Sequence, residues 1–332
     1  MRPLQATLFE PERKISPRVK YQKYTLLDGS EEYKFKQIND GSIITRFDKT
    51  PHALNPKDVI CPHFVELKWA YGCPYDCSWC YLKGTFRFRP EGIKPVSKDF
   101  EKIKLHLQTF FSEVQEPEIL NSGEIADSLM FENGVKSFSK FVIPLFEEQD
   151  IHKILFLTKS TNITNLLEIE EHRQTIVSFS LNAVPVAAKW ERRAPDVIRR
   201  VSAAGKLYNA GYSIRIRIDP MVPIDNWYRP YKGLIDLIFS RINPERITLG
   251  SLRGLQSTIN QTKDSSWTIY LKESSNWGKK IDFDKRFLMY SKIMGYLDAK
   301  YKYNAIALCK ETAEMWEKLR MNYQKIKCNC VQ

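Results

Sequence analysis

Three cysteines within eight residues, in the run Cys73-Pro-Tyr-Asp-Cys77-Ser-Trp-Cys80, are the groups in this chain best suited to chemistry. Separated by three and then two residues, they let one short loop turn three thiolates toward one point. Thiolates are soft ligands that suit iron–sulfur clusters and zinc. A cubane of four irons usually takes four protein thiolates, and this loop has no fourth cysteine, so one iron would stay open. An open iron implies chemistry rather than electron storage. The competing readings are a structural zinc site and three unrelated buried cysteines. Zinc ribbons tend to come as paired Cys-x2-Cys knuckles, and no matching second knuckle exists here.

The loop resembles the signature of the radical S-adenosylmethionine (SAM) enzymes, Cys-x3-Cys-x2-Cys with an aromatic beside the last cysteine. Trp79 and Tyr81 both fit that place. The resemblance implies a 4Fe-4S cluster on Cys73, Cys77 and Cys80, with SAM chelated to the open iron through its amino and carboxylate groups. It also implies an external electron donor of flavodoxin or ferredoxin type, and a 5′-deoxyadenosyl radical that takes hydrogen from the substrate.

The elements that must position this loop read as α/β. Residues 64–70 form an apolar strand running into the cysteines. A short strand before Asn121 follows, then strands at 154–158, 176–181, 214–218 and 247–250. Helices are expected at about 98–113, 136–148, 161–172, 194–210 and 230–242. Alternating strands and helices imply a parallel sheet with helices outside. The six units match the partial (β/α)6 TIM-like barrel of radical-SAM enzymes, whose sites lie at the C-terminal strand ends. Residues 1–58 read as an N-terminal arm, with a hairpin around 33–47 and breaks at Pro51 and Pro56. A solvated arm is expected there, with Arg46, His52 and Asn55 as candidates for a substrate mouth. Residues 59–255 read as the barrel and 256–332 as a C-terminal extension, with a helix at 287–297 and a strand at 304–308.

Each strand end offers candidates. Ser122-Gly123-Glu124 resembles the Gly-Gly-Glu element that holds the SAM amino group, with Asp127 and Ser128 close behind. Glycine lets a backbone approach a ligand, and glutamate accepts from an ammonium. Lys159, ending an apolar run, needs an anion, and the SAM carboxylate is the candidate. Ser180 and Asn182 suit the ribose hydroxyls. Arg215, Arg217 and Asp219 share one face by the period of two, and Arg217 and Asp219 are expected inside the barrel. Tyr81, Arg217 and Asp219 are the catalytic candidates, and Ser251 and Arg253 could hold a substrate phosphate. In the run from Lys83 to Arg89, cations mixed with aromatics suit either phosphates and bases or a loop covering the cluster.

The chain has 332 residues and a formal charge of +12, from 51 Lys and Arg against 39 Asp and Glu. That excess suits a polyanion such as nucleic acid, although scattered lysines also fit a merely soluble basic protein. No window approaches a membrane span, and the first 18 residues lack the apolar run of a secretory signal. A cytoplasmic protein, host-encoded or virus-encoded, is expected. Seven cysteines there point to metal or redox use rather than disulfides.

Over residues 60–255 the chain is most similar to the spore photoproduct lyase family. The resemblance rests on Gly72 to Leu82, Leu157-Thr-Lys159, Phe179-Ser-Leu-Asn182, and Ala210-Gly-Tyr-Ser before a strand ending in Pro220. Members split a crosslinked thymine pair in DNA, and a cysteine returns the hydrogen. That donor lies just after the second strand, where this chain has Ser122 to Asp127 and no cysteine. Tyr81 fits one relay tyrosine, and Trp79 stands at the other place. An isomerase returns hydrogen from 5′-deoxyadenosine and needs no thiol, so the sequence leans to isomerisation or hypermodification of a modified thymidine. A thymine photoproduct lyase, a radical-SAM enzyme on a non-DNA substrate, and a non-catalytic zinc-containing nucleic-acid-binding protein are the alternatives. Cys309, Cys328 and Cys330 could bind a second metal or cluster, or one could donate hydrogen. Cys61, one strand-length before the loop, is expected at the opposite barrel end.

Overall fold

The computed structural model describes residues 17–50, 52–134 and 136–332. The N-terminal stretch examined for a signal therefore lies almost wholly outside the described residues, as does Pro51. One ten-stranded sheet runs through the molecule. Its strands are β1 (Val19–Thr25), β2 (Glu31–Ile38), β3 (Ile44–Phe47), β4 (Phe64–Leu67), β5 (Ile119–Asn121), β6 (Lys153–Thr158), β7 (Thr175–Leu181), β8 (Ser213–Met221), β9 (Arg246–Ser251) and β10 (Ile306–Leu308). They lie side by side in chain order. From β4 to β10 every pairing is parallel, with registers such as Val65 to Leu120, Ile154 to Thr175 and Ile247 to Ile306. β1, β2 and β3 add an antiparallel meander on the β4 edge. The sheet is open, because β1 and β10 do not pair. It is the expected partial barrel with one further parallel strand. The hairpin expected around 33–47 is β2 and β3.

β7 is buried along its whole length, as a parallel strand covered on both faces should be. The covering helices are α1 (Phe100–Glu113), α2 (Phe138–Glu147), α3 (Val197–Asn209), α4 (Tyr228–Phe239) and α5 (Phe283–Tyr301). Four begin on a side-chain cap: Asp99, Ser137, Asp196 and Asp282 accept from the backbone N–H three residues on. The helix expected over 161–172 shrinks to one turn, Thr164–Leu167. It lacks a side-chain cap, and Glu168, Glu170 and Glu171 put negative charge at the end where the helix dipole disfavours it.

The solvated arm is not what forms. Arg46 is buried, donates to the Phe35 carbonyl at 2.6 Å, and pairs with Glu118. Two further connections tie the chain ends of this unit together. Val59–Ile60, just before β4, pairs antiparallel with Glu311–Thr312, just after β10. The C-terminal tail, in turn, fastens onto β7, β8 and β9. Asn329 is fully buried and donates to Ser178 Oγ at 2.7 Å and the Ile216 carbonyl at 3.0 Å. Thr248 Oγ1 donates to its side-chain oxygen at 2.7 Å. Arg215 donates to the Asn329 carbonyl at 2.9 Å and Arg246 to the Cys328 carbonyl at 2.8 Å. No helix of the described residues is long and apolar enough to cross a membrane.

Candidate active site

The cysteine loop is fastened on both sides. Gly72 turns the chain with φ of +82°, donating to the Ile125 carbonyl at 3.0 Å. Cys73 donates to the Ile93 carbonyl at 2.9 Å. Cys77 sits opposite Glu191 in a two-residue strand pair, and Ser78 donates to the Trp190 carbonyl at 2.8 Å. Asp76 receives Lys83 at 2.8 Å and Arg192 at 3.2 Å. A methyl group at Gly72 would collide with the carbonyls of Ile93 and Lys94. Gly72→Ala is therefore expected to destabilise the protein by at least about 1–3 kcal/mol and to lower the iron retained after reconstitution. Denaturant titration and iron assay check both.

Cys73, Cys77 and Cys80 line one cavity of about 380 Å³ at the C-terminal strand ends. Tyr81, Gly123, Glu124, Lys159, Ser180, Arg217 and Asp219 line it too. Ser122 and Asn182 do not. Ser122 Oγ donates to the Leu155 carbonyl at 2.9 Å, tying β5 to β6. Asn182 donates to the Pro220 carbonyl at 2.8 Å and accepts from Tyr231 at 2.8 Å, joining two strand ends. Gly123 has a packing reason as well, since a Cβ there would lie 2.6 Å from both Cβ and the carbonyl oxygen of Leu157.

The donor chemistry fits an iron–sulfur cluster. Burial raises all three thiol pKa values, Cys77 to about 12, while Lys159 pulls Cys77 and Cys80 the other way. Three buried thiols beside a lysine need a strong Lewis acid to ionise, and coordination supplies it. Among the described residues no three His, Cys, Asp or Glu side chains could hold a single metal ion. Cys73, Cys77 and Cys80 on this one cavity would supply the three thiolates of a cluster with one open iron. The same finding gives no support to a second metal at Cys309, Cys328 and Cys330.

Lys159 donates to Ser180 Oγ at 2.9 Å and lies 3.9 Å from Glu191. Burial is the largest influence and works against its ammonium, but Glu191, Cys77 and Cys80 together outweigh it and its pKa is raised. Asp127 holds this corner by accepting from Thr158 Oγ1 at 2.7 Å and the Lys159 N–H at 2.8 Å. Arg253 grips Asp219 through two bonds of 2.7 and 2.9 Å. Burial would raise Asp219, yet Arg253 holds it down at about 2. Arg253, expected to hold a phosphate, is thus committed to Asp219. Arg217 donates to Cys330 Sγ at 2.9 Å, while its buried Nε has no protein partner. Tyr81 donates to the Glu124 carbonyl. In the basic run, Lys83 belongs to Asp76, Leu82 and Thr85 line the cavity, and Phe88 stands 82% exposed with Arg87 over its ring at 4.2 Å.

Sequence reasoning misplaced Cys61, which lines the same cavity as Cys73, Cys77 and Cys80. The pairing of Val59–Ile60 with Glu311–Thr312 draws it toward Cys309 and Lys310. Glu66, also on the cavity wall, was missed, although a glutamate inside an apolar strand was a readable signal. Burial, then Glu124, pushes its pKa up to about 7 despite Lys68 at 3.5 Å. The raised value makes the protonated form the folded one. Its stabilisation is complete below the ordinary glutamate range and is lost as pH rises toward 7. Glu66→Gln is expected to remove a loss on the order of 3 kcal/mol between pH 4.5 and 7.5, read from urea midpoints across that range.

The family model for spore photoproduct lyase matches residues 62–304. The chain belongs to the spore photoproduct lyase family. Spore photoproduct lyase of Clostridium acetobutylicum is 26% identical over 178 residues, 51% of this chain and 50% of that protein. That of Bacillus subtilis is 25% identical over 173 residues, 51% of this chain and 49% of that protein. The chain spans about half the length of the curated relatives it matches. A solved spore photoproduct lyase complexed with dinucleoside spore photoproduct superposes with a TM-score of 0.62 at 18% identity, covering 74% of this chain and 75% of that one. A mutant with bound AdoMet and the same dinucleoside gives 0.61 at 18% identity, covering 74% and 76%. SuiB of Streptococcus suis, bound to its precursor peptide SuiA, gives 0.50 at 12% identity over 77% of this chain and 50% of that one. These structures share the fold.

Proposed function

We propose that this member of the spore photoproduct lyase family is a radical-SAM enzyme that cleaves a crosslink between thymines in DNA. The observation that carries the reading is the gathering of Cys73, Cys77 and Cys80 with Lys159 and Glu124 on one cavity at the strand ends. A 4Fe-4S cluster on the three thiolates, with SAM on its open iron, supplies when bound a 5′-deoxyadenosyl radical able to take hydrogen from carbon. The chain's own groups bind and orient. Lys159 offers a cation to the SAM carboxylate, Glu124 an acceptor to its ammonium, and Ser180 a hydroxyl to its ribose. Arg217, with Nε unpartnered, is a donor for a thymine carbonyl. Asp219 holds Arg253 rather than a proton, and Tyr81 braces the Glu124 loop. Exposed Phe88 under Arg87, with a charge of +12, suits a DNA strand at the mouth. The barrel of 59–255, whose sheet β10 of the extension continues, carries the cofactors, and a flavodoxin or ferredoxin supplies the electron.

The sequence favours rearrangement because no thiol follows β5. Cys61, Cys309, Cys328 and Cys330 on the cavity wall remove that reason. Family membership then makes bond cleavage the better reading. Anaerobically reconstituted protein with dithionite, SAM and dinucleoside spore photoproduct should yield 5′-deoxyadenosine and two thymidines. Formation of 5′-deoxyadenosine with only a product of unchanged mass and altered retention would replace cleavage by rearrangement. The absence of 5′-deoxyadenosine would overturn the reading.

A further inference from the structure

Four cysteines outside the cluster loop line the cavity, and two differ from the rest. Cys328 and Cys330 flank Asn329, whose five hydrogen bonds with β7, β8 and β9 fix the tail inside the sheet. Both thiols are buried. Cys330 Sγ accepts from Arg217 at 2.9 Å and from Asn121 Nδ2 at 3.7 Å. The two cysteines, two residues apart, line the same cavity wall. Cys309 instead accepts from Arg253 at 3.6 Å, and Cys61 contacts its own neighbour's carbonyl.

We propose that Cys328 and Cys330 form a redox-active dithiol that returns a hydrogen atom to a substrate carbon radical in this cavity. The proposal rests on the radical reading above. Arg217 favours the thiolate at Cys330, so Cys328 is the thiol of the pair that keeps its hydrogen. The shift of Cys330 down to about 6 and of Cys328 upward agrees with that division. The Cys328 S–H bond breaks homolytically, and its hydrogen atom forms the new C–H bond. The thiyl radical left on Cys328 joins the Cys330 thiolate in a three-electron S–S bond. One electron then leaves to a carrier of the ferredoxin or flavodoxin class, completing a disulfide, and an external dithiol restores the pair. A lone thiyl would have no nearby partner to stabilise it, and here the partner lies two residues away on the same cavity wall.

The test has two arms. In the first, the full chain is oxidised anaerobically with diamide, digested and analysed by mass spectrometry. A Cys328–Cys330 disulfide, two hydrogens lighter than the dithiol peptide and absent from Cys330→Ala, is expected. Separate alkylation of both thiols after diamide overturns the proposal. In the second, the loaded enzyme turns over dinucleoside spore photoproduct in D2O, where S–H exchanges to S–D. Deuterium is expected in a product thymidine, falling by about tenfold or more in Cys328→Ser. Unlabelled product from the wild type, or label unchanged in Cys328→Ser, also overturns it. Failure of the wild type to form any 5′-deoxyadenosine would contradict the radical reading instead, and the diamide arm would then decide whether the pair is redox-active.

Discussion

Glu311→Ala is expected to lower stability by about 3–5 kcal/mol, because removing one partner strands buried charges. Glu311 is fully buried, pairs with Arg286, and lies 3.4 Å from Lys280. It also accepts from Tyr290 and Ser251, each at 3.0 Å, and from the Thr312 N–H at 2.9 Å. Alanine would leave two buried cations facing a void. Burial opposes the Glu311 carboxylate, but Lys280 and Arg286 win and its pKa is lowered. Its stabilisation is thus present above the ordinary glutamate range and lost as pH falls below it. The consequence reaches the site, since Glu311 opens the strand pair that draws Cys61 to the cavity. Urea unfolding at neutral pH checks the value. A midpoint within about 0.5 kcal/mol of the wild type would show that the pairing contributes nothing.

Cys77→Ala is expected to reduce 5′-deoxyadenosine formation by about a thousandfold or more, since the radical has no source without the cluster. Iron after reconstitution should fall well below the four per chain expected of a single cubane, roughly to background. Cys61→Ala is the control. It shares the cavity wall but not the loop, so it should keep the iron and the cleavage. If Cys61→Ala loses iron as fully as Cys77→Ala, the cluster is not confined to the loop.

The gathering of Cys73, Cys77 and Cys80 on one cavity was legible because it is local. Three cysteines within eight residues need no tertiary information to be read together. The parallel strands were legible for a related reason, as burial on both faces writes continuous apolar runs. Arg217 and Asp219 followed from the period of two. What failed was long-range. Asn182 looks like a ribose ligand by position, but Pro220 and Tyr231, both distant in sequence, take its side chain. Arg253 looks free until Asp219 is found beside it. The tail could not be placed from its sequence, because a few residues lack periodicity. Its position depends on Ser178, Arg215, Thr248 and Arg246, from three separate strands. Cys61 was misjudged by counting along a strand that is only four residues long.

The most direct test of the central claim is the electron paramagnetic resonance spectrum of reconstituted, dithionite-reduced protein with and without SAM. A reduced-cubane signal that changes when SAM is added, and that vanishes when Cys73, Cys77 and Cys80 are all alanine, is the predicted result. A colourless protein carrying zinc, or a cluster signal that SAM leaves untouched, would contradict it.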